Sequence, residues 1–462
     1  MEESMKRETL VRWGAAFLVP VLILCLPSGE VFTPVLKKFL SVTVFGLLLM
    51  ALELAPSMCS AIIFPIGYVL FDVAPIQTVL APWIGTTALV IVCGFWLAMI
   101  LLRTGLLDRV ICRCAIFFGG SFTGIAVSIY LAGVIASFVT FGGHHMLILA
   151  FAYGACRTLD LQRGTTATVL LMSAVYTTIF AQQFSYYPGV LALLNGSIAN
   201  IAPEYQITWL SNLILGLPMF FVGLAGVIIL SRMFAGDVTR VDIKQHYIEM
   251  RDKQGPMTGN EKKGIAVMLC LLLFMATSSL HGINGDFGMI LAPLIFYLPG
   301  IQVGNYDDVK GIDFDMVFLI MACMSIGSVG THIGLGQLLT SYAIPIIGDM
   351  GAVGLLGFTW IFSVLFNFLL TPFAIYAAFS QPLGDIAFGM GINPATLMIT
   401  LINAGDTILL PYEHNSALMA FAFGLMSLKD FVRVNMVKCI IQFIGMFFVM
   451  LPFWYLIGML YV

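Results

Sequence analysis

The sequence predicts an all-α polytopic membrane protein, and three observations predict it. Of its 462 residues, 60% are hydrophobic and only 10% charged, with a mean hydropathy of +1.01. Soluble domains carry about 25% charged residues, so this chain has too few charges to coat the surface a soluble fold would expose. Apolar runs follow one another from residue 13 to residue 462, broken by Gly, Pro and isolated polar residues. The one long polar stretch, 232–263, holds seven of the 21 basic residues. A span needs roughly 20 apolar residues, so about eleven transmembrane helices fit.

Taken in order, the first element is an N-terminal cytoplasmic segment and first span over 1–39, whose basic flank (Lys6, Arg7, Arg12) points to a cytoplasmic start. A first repeat spans 40–231. The basic loop 232–263 is cytoplasmic by its charge, and a second repeat spans 264–462. The last charge is Lys438, so the final span ends outside the cell. Several apolar runs are too short to cross and read as re-entrant or broken helices, which membranes tolerate only where protein or a water-filled cavity surrounds them. On this reading each half carries a hairpin (about 122–156 and 351–390) followed by an unwound helix (about 165–199 and 395–427).

The halves echo each other. Gly105-Leu106 maps on Gly334-Leu335 at an offset of 229, the break at 141–145 maps near 370–373, and Pro188 maps on Pro411 at 223. Three breaks at nearly one offset point to an internal duplication. With an odd number of spans per half the copies are inverted, as in many secondary transporters.

Polar residues in hydrocarbon are expensive, so they mark the candidate sites. In Val139-Thr-Phe-Gly-Gly-His-His-Met146 two helix ends meet at glycines, where free N–H groups hold an anion without a full basic charge. Gly142, Gly143, His144 and His145 are therefore substrate-site candidates, with Thr140 beside them for a coupling cation; the competing reading is a surface hairpin tip with solvated histidines. Thr371 and Pro372 occupy the corresponding break, where Pro372 cannot continue a helical ladder, against a plain proline kink. The stretch Gln182–Gly189 contributes Ser185, Pro188 and Gln183. The stretch Asn403–Ser416 contributes Asp406, Thr407, Glu413, His414 and Asn415. Unwound carbonyls beside such groups hold Na+ or substrate. A purely structural pairing of Glu413 with His414 or Lys429 is the alternative. Arg103, Arg157 and Arg163 read as snorkelling span ends, and Glu53 and Asp72 as interfacial.

Other classes are excluded. Net charge is −3 with no basic cluster, which excludes nucleic-acid partners. The nine cysteines lie mostly in apolar runs, and Cys112-x-Cys114 lacks the partners of a metal site. There is no P-loop, no HExxH and no GxSxG, so no resident cofactor or enzymatic activity is expected. No potassium-type filter or regular Arg series appears.

Residues 82–107, PWIGTTALVIVCGFWLAMILLRTGLL, resemble a segment of the divalent anion/sodium symporters, the dicarboxylate, citrate and sulfate carriers of the ion transporter superfamily. Asp313–Leu339 resembles that family's second-half copy. Gly391-Ile-Asn-Pro394 through Pro411, Asn415 and Gly424–Phe431 resemble its C-terminal signature. The resemblance implies a scaffold domain, a mobile transport domain with elevator-type motion, and a homodimer. It also implies Ser-Asn-Thr hairpin tips that bind carboxylate and sodium. The matching positions here are Gly142-Gly143-His144 and Thr371-Pro372-Phe373, so neither motif is present. Loss of those groups with gain of His144, His145, Glu413 and His414 points to a changed substrate, or to protons in place of Na+. The expected function is a secondary active transporter of a small organic anion, di- or tricarboxylate in type. It would be coupled to Na+ or H+ and work by alternating access in the cell's cytoplasmic membrane. An inorganic-anion permease of the same fold is the alternative, with a passive channel or membrane-embedded enzyme further behind.

Overall fold

A computed structural model describes residues 2–29, 32–51, 54–141, 144–235, 244–312, 314–335, 351–368 and 372–462. Among them there is no β-strand, only a single bridge between Ile392 and Tyr461. The chain opens with α1 (Glu2–Cys25), α2 (Pro34–Ala51), α3 (Ser57–Leu70), α4 (Ile76–Ile84), α5 (Thr86–Arg103) and α6 (Leu106–Phe118). Then α7 (Phe122–Thr140) and α8 (His145–Thr158) meet at a break, and α9 (Thr165–Ala181) and α10 (Pro188–Ile201) form an interrupted helix. Next come α11 (Trp209–Met233), α12 (Lys244–Gln254), α13 (Gly259–Ala276), α14 (Ser278–His281), α15 (Asp286–Ile295), α16 (Tyr306–Lys310) and α17 (Phe314–His332). These are followed by α18 (Gly351–Asn367), α19 (Pro372–Gly389), α20 (Pro394–Gly405) and α21 (Asn415–Ala422). The end is α22 (Leu428–Ile444), a π-helical stretch Gly445–Met450 and α23 (Leu451–Leu456).

Four helical stretches among the described residues are long and apolar enough to cross a membrane: Ile76–Arg103, Phe122–Thr140, Trp209–Met233 and Leu428–Leu456. The other apolar helices are shorter because Gly, Pro and polar clusters end them. The predicted breaks at 142–143 and 370–371 lie outside the described residues. The predicted basic loop is partly helical: α12 occupies its middle and α13 begins inside it.

The membrane signature sits on the faces of the long helices. On α11, Leu210, Ile214, Leu217 and Phe221 are exposed at helical spacing, while Asn212, Gly216 and Gly223 are buried. On α22, Met436, Ile440, Phe443 and Ile444 are exposed and Asn435, Lys438 and Gln442 buried. Apolar outside and polar inside is the reverse of a soluble amphipathic helix. Lipid is the medium in which that pattern lowers free energy.

At the centre lie α9 and α20. Every residue from Ala167 to Ala181 is buried, as is every residue of α20. Around them pack α7, α8, α11, α21 and α22 on α9, and α18 and α19 on α20. The close approach relies on small residues. A Cβ on Gly216 of α11 would lie 1.8 Å from the Gln183 carbonyl oxygen, so only glycine lets α11 press against the α9–α10 break. Two inter-half bonds, Ser197–Ser380 at 2.6 Å and Asn200–Gln381 at 3.4 Å, tie α10 to α19.

Two predicted snorkelling residues do something else. Arg103 pairs with Asp308 through both carboxylate oxygens, at 2.7 and 2.8 Å, and also donates to the Val303 carbonyl. Arg163 donates to the Met426 carbonyl. Asp72 is exposed, as an interfacial residue should be, while Glu53 lies outside the described residues.

In the basic segment, Arg109 of α6 clamps the connection between α12 and α13. It reaches Glu261 at 2.6 Å and the carbonyls of Gln254, Gly255 and Pro256. Burial disfavours a charged Glu261, but the Arg109 guanidinium and the Thr258 amide outweigh that and hold its carboxyl below the usual range. Glu261→Ala should lower stability by about 2 kcal/mol, the size of one charge-assisted bond, read as the thermal midpoint in detergent. Because the folded-state carboxyl is the stronger acid, the clamp acts fully above about pH 4.3 and fades as pH falls below it. The wild-type and Glu261→Ala midpoints should therefore converge in acid. Gly216→Ala should cost about 3 kcal/mol or more through overpacking against backbone, in the same assay.

Candidate functional site

The site is built where the two interrupted helices cross. Breaking a helix in hydrocarbon frees backbone N–H and C=O groups, and each must find a new partner. The C-terminal end of α20 finds its partners on α22. Gln442 donates to the Asn403 carbonyl and Lys438 to the Asp406 carbonyl. Asn435, Lys438 and Gln442 are spaced i, i+3, i+7 and so share one face. The cation also faces the negative end of the α20 dipole.

Side chains then join the two breaks. Gln182 donates to Oδ2 of Asp406, and Asn403 donates to the Gln183 side-chain oxygen at 2.9 Å. Trp360 of α18 donates to the remaining Asn403 oxygen, also at 2.9 Å. Asn212 of α11 holds the Ser185 carbonyl at 2.9 Å. The α9–α10 break is thus held from both sides by amide groups.

Glu413 folds the second break back on itself. Its two oxygens accept from the Leu409 and Leu410 amides at 2.9 and 3.0 Å, and Asn367 at the end of α18 donates at 3.1 Å. These partners stand where the alternative reading had His414 or Lys429, and they leave both oxygens of the buried carboxyl hydrogen-bonded. The ring nitrogen Nδ1 of His414 accepts from the Ser416 amide at 3.2 Å and caps α21.

The predicted site residues do not all converge. His144 is fully buried as the residue preceding α8; its Nε2 lies 3.4 Å from the Thr177 hydroxyl and its Nδ1 has no partner. Its ring lies edge-on to Tyr187, at 6.4 Å. Ser185 and Tyr187 on the α9–α10 break are buried, and their hydroxyls have no partner. Pro188 starts α10. Thr140 bonds back to Ala136 within α7. Thr407 bonds to the Asn403 carbonyl, and its own carbonyl accepts from Asn367. His145 opens α8 half-buried, and Pro372 opens α19. Asn415 is exposed at the start of α21. Gly142, Gly143 and Thr371 lie outside the described residues.

Four residues matter that the sequence reading did not select: Lys438, Gln442, Asn403 and Asn367. The available signal was the 435, 438, 442 stripe of amide and amine groups in an otherwise apolar helix. Lys438 is 1% exposed. Burying an ammonium costs several kcal/mol. Its distances of 6.0 and 5.8 Å from the Tyr176 and Phe180 rings return about 2 kcal/mol at most. The carbonyl of Asp406 and the nearby carboxylates must supply the rest.

A cavity of about 790 Å3, lined by none of these four residues, lies at the end of α11 opposite Arg232. Asn195, Asn200 and Thr208 line one wall and Asp286 and Ser328 the other, and Tyr186 closes it toward the α9–α10 break by donating to Asp286 at 2.7 Å. Among the described residues no group of three or more His, Cys, Asp or Glu side chains is placed to hold a metal ion.

The family description of the sodium:sulfate symporter transmembrane region matches residues 7–460. The chain belongs to the sodium:sulfate symporter family. It is a multi-pass membrane protein and a secondary transporter of small anions, a transport protein rather than an enzyme. The fold is similar to the YdaH transporter of Alcanivorax borkumensis, with a TM-score of 0.61, 13% identity, and coverage of 83% of this chain and 88% of that one. It is also similar to MtrF of Neisseria gonorrhoeae, with a TM-score of 0.58, 12% identity, and coverage of 83% and 84%. No curated protein matches the sequence.

Glu413→Ala would leave the Leu409 and Leu410 amides and Asn367 without an acceptor. It should destabilise the protein by about 3 kcal/mol, and Glu413→Gln by less, since one oxygen remains; paired thermal midpoints check the order.

Proposed function

We propose that this transporter carries a small organic anion of the di- or tricarboxylate type across the cytoplasmic membrane together with a cation, Na+ or H+, by alternating access. The observation that carries the reading is a set of buried donors with no partner at two helix starts: Nδ1 of His144 before α8, and the Ser185 and Tyr187 hydroxyls before α10. Buried polar groups are normally satisfied, and N-terminal helix ends favour anions. The substrate's carboxylates are assigned to these groups, and Gly142, Gly143, His145, Thr371, Pro372, Pro188 and Asn415 are proposed as further substrate residues. The coupling cation is assigned to Thr140, Gln183, Asp406, Thr407, Glu413 and His414.

The two broken helix pairs, α7–α8 and α18–α19, act as re-entrant hairpins of an inverted repeat. They move with the interrupted helices against the remaining scaffold in an elevator-type cycle, in a homodimer with the N-terminus cytoplasmic. The second reading is an inorganic dianion, favoured by the family's sulfate symporters. An outward direction would match MtrF, one of a class of antimetabolite efflux pumps.

A thermal-shift screen of the detergent-solubilised protein tests the reading with succinate, citrate, sulfate and acetate. A ligand at 100 times its dissociation constant adds about 2.7 kcal/mol. Succinate or citrate should stabilise the protein. His144→Ala should weaken that binding about tenfold or more, the loss of one bond to a charged group. Stabilisation by sulfate alone selects the second reading, and stabilisation by none of the anions sinks both.

A further inference from the structure

Among the described residues Lys438 is the one buried lysine or arginine, and the anion reading leaves it without a role. Its ammonium donates to the Asp406 carbonyl, the first main-chain oxygen after α20 ends. Among the described residues it makes no ion pair with a carboxylate within 4.0 Å. The faces of Tyr176 and Phe180 cover its other side. In secondary transporters the carbonyls of unwound segments and the C-terminal ends of half-helices hold the coupling ion. Here the cation is part of the chain.

We propose that the Lys438 ammonium is a tethered cation occupying the position a free Na+ would take on the unwound segment 406–414, and that the ion moved with the anion is a proton carried by Asp406. The proposal rests on the anion-carrier reading for its role in transport. Charge and geometry carry the rest. The charged and titratable groups facing Lys438 are Asp406, Glu413 and His414 on the break, Tyr176 on α9 and Cys439 on its own helix. Tyr187 and Tyr376 face Asp406 from the other side. One ammonium against two carboxylates leaves one negative charge in a buried site. Three of the four carboxylate oxygens accept hydrogen bonds: both of Glu413, and Oδ2 of Asp406 from Gln182. The fourth, Oδ1 of Asp406, is buried without a partner. That oxygen takes the proton on one side of the membrane as a neutral carboxylic acid. It releases the proton on the other side and returns to carboxylate, while Lys438 stays charged throughout.

Two measurements on the full-length protein test this, and neither needs the substrate. The first is the thermal midpoint in NaCl against KCl at equal ionic strength. The wild type should show the same midpoint in both. Lys438→Gln should acquire a saturable stabilisation by Na+ at a concentration at least tenfold below any wild-type response, and Lys438→Arg should behave as wild type. Saturable Na+ stabilisation of the wild type, or identical responses in wild type and Lys438→Gln, overturns the tethered cation. The second is infrared difference spectroscopy between acid and alkaline buffer, which serves even where a Lys438 variant does not fold. A buried carboxylic-acid C=O band should appear in the wild type, persist in Glu413→Gln and vanish in Asp406→Asn. A band that follows Glu413, or no band, overturns the proton assignment. Because neither readout uses an anion, failure here is separable from failure of the anion screen.

Discussion

The meeting of two interrupted helices, whose first halves α9 and α20 are buried almost throughout, is the constraint on which the remaining structure depends. A helix broken in hydrocarbon exposes peptide groups that water cannot satisfy. Here each break is satisfied by the other and by their neighbours: Gln182 with Asp406, Asn403 with Gln183, Gln442 and Lys438 on the free carbonyls, Glu413 on the free amides. The polar stripe of α22, the amides of α11 and α18, and the glycine at 216 that admits α11 follow from that requirement.

The same requirement explains the reversed amphipathicity of the outer helices. Their polar residues face inward because the unwound segments need them, and their Leu, Ile and Phe face outward because lipid accepts them. A transporter gains from this division. The inner polar groups can exchange partners as the protein moves, while the outer apolar faces meet the same lipid in every state.

Three kinds of group at the crossing do different work. The amides of Gln182, Gln183 and Asn403 lock one helix to the other. The unpartnered groups of His144, Ser185 and Tyr187 are available to an anion. Lys438, Asp406 and Glu413 set the charge balance. On the tethered-cation proposal, the balance is left to protons. The absence of Ser-Asn-Thr at Gly142-Gly143-His144 and Thr371-Pro372-Phe373 fits that proposal.

Composition and run lengths were enough to establish the membrane class and the helical architecture. Those depend on local chemistry: the cost of a charge in lipid, and the inability of Pro and Gly to continue a helix. The family could be read from the order of motifs across the chain. The partner of each polar group could not, because Gln182 and Asp406 are 224 positions apart and Asn403 and Gln183 are 220 apart. The alternative the sequence offered for Glu413 was His414 or Lys429, whereas packing brought Asn367 and two backbone amides to it. Spacing also left Lys438 as an ordinary last charge. Only the folded chain places it on the carbonyl of Asp406, because a buried charge takes its meaning from what surrounds it in space.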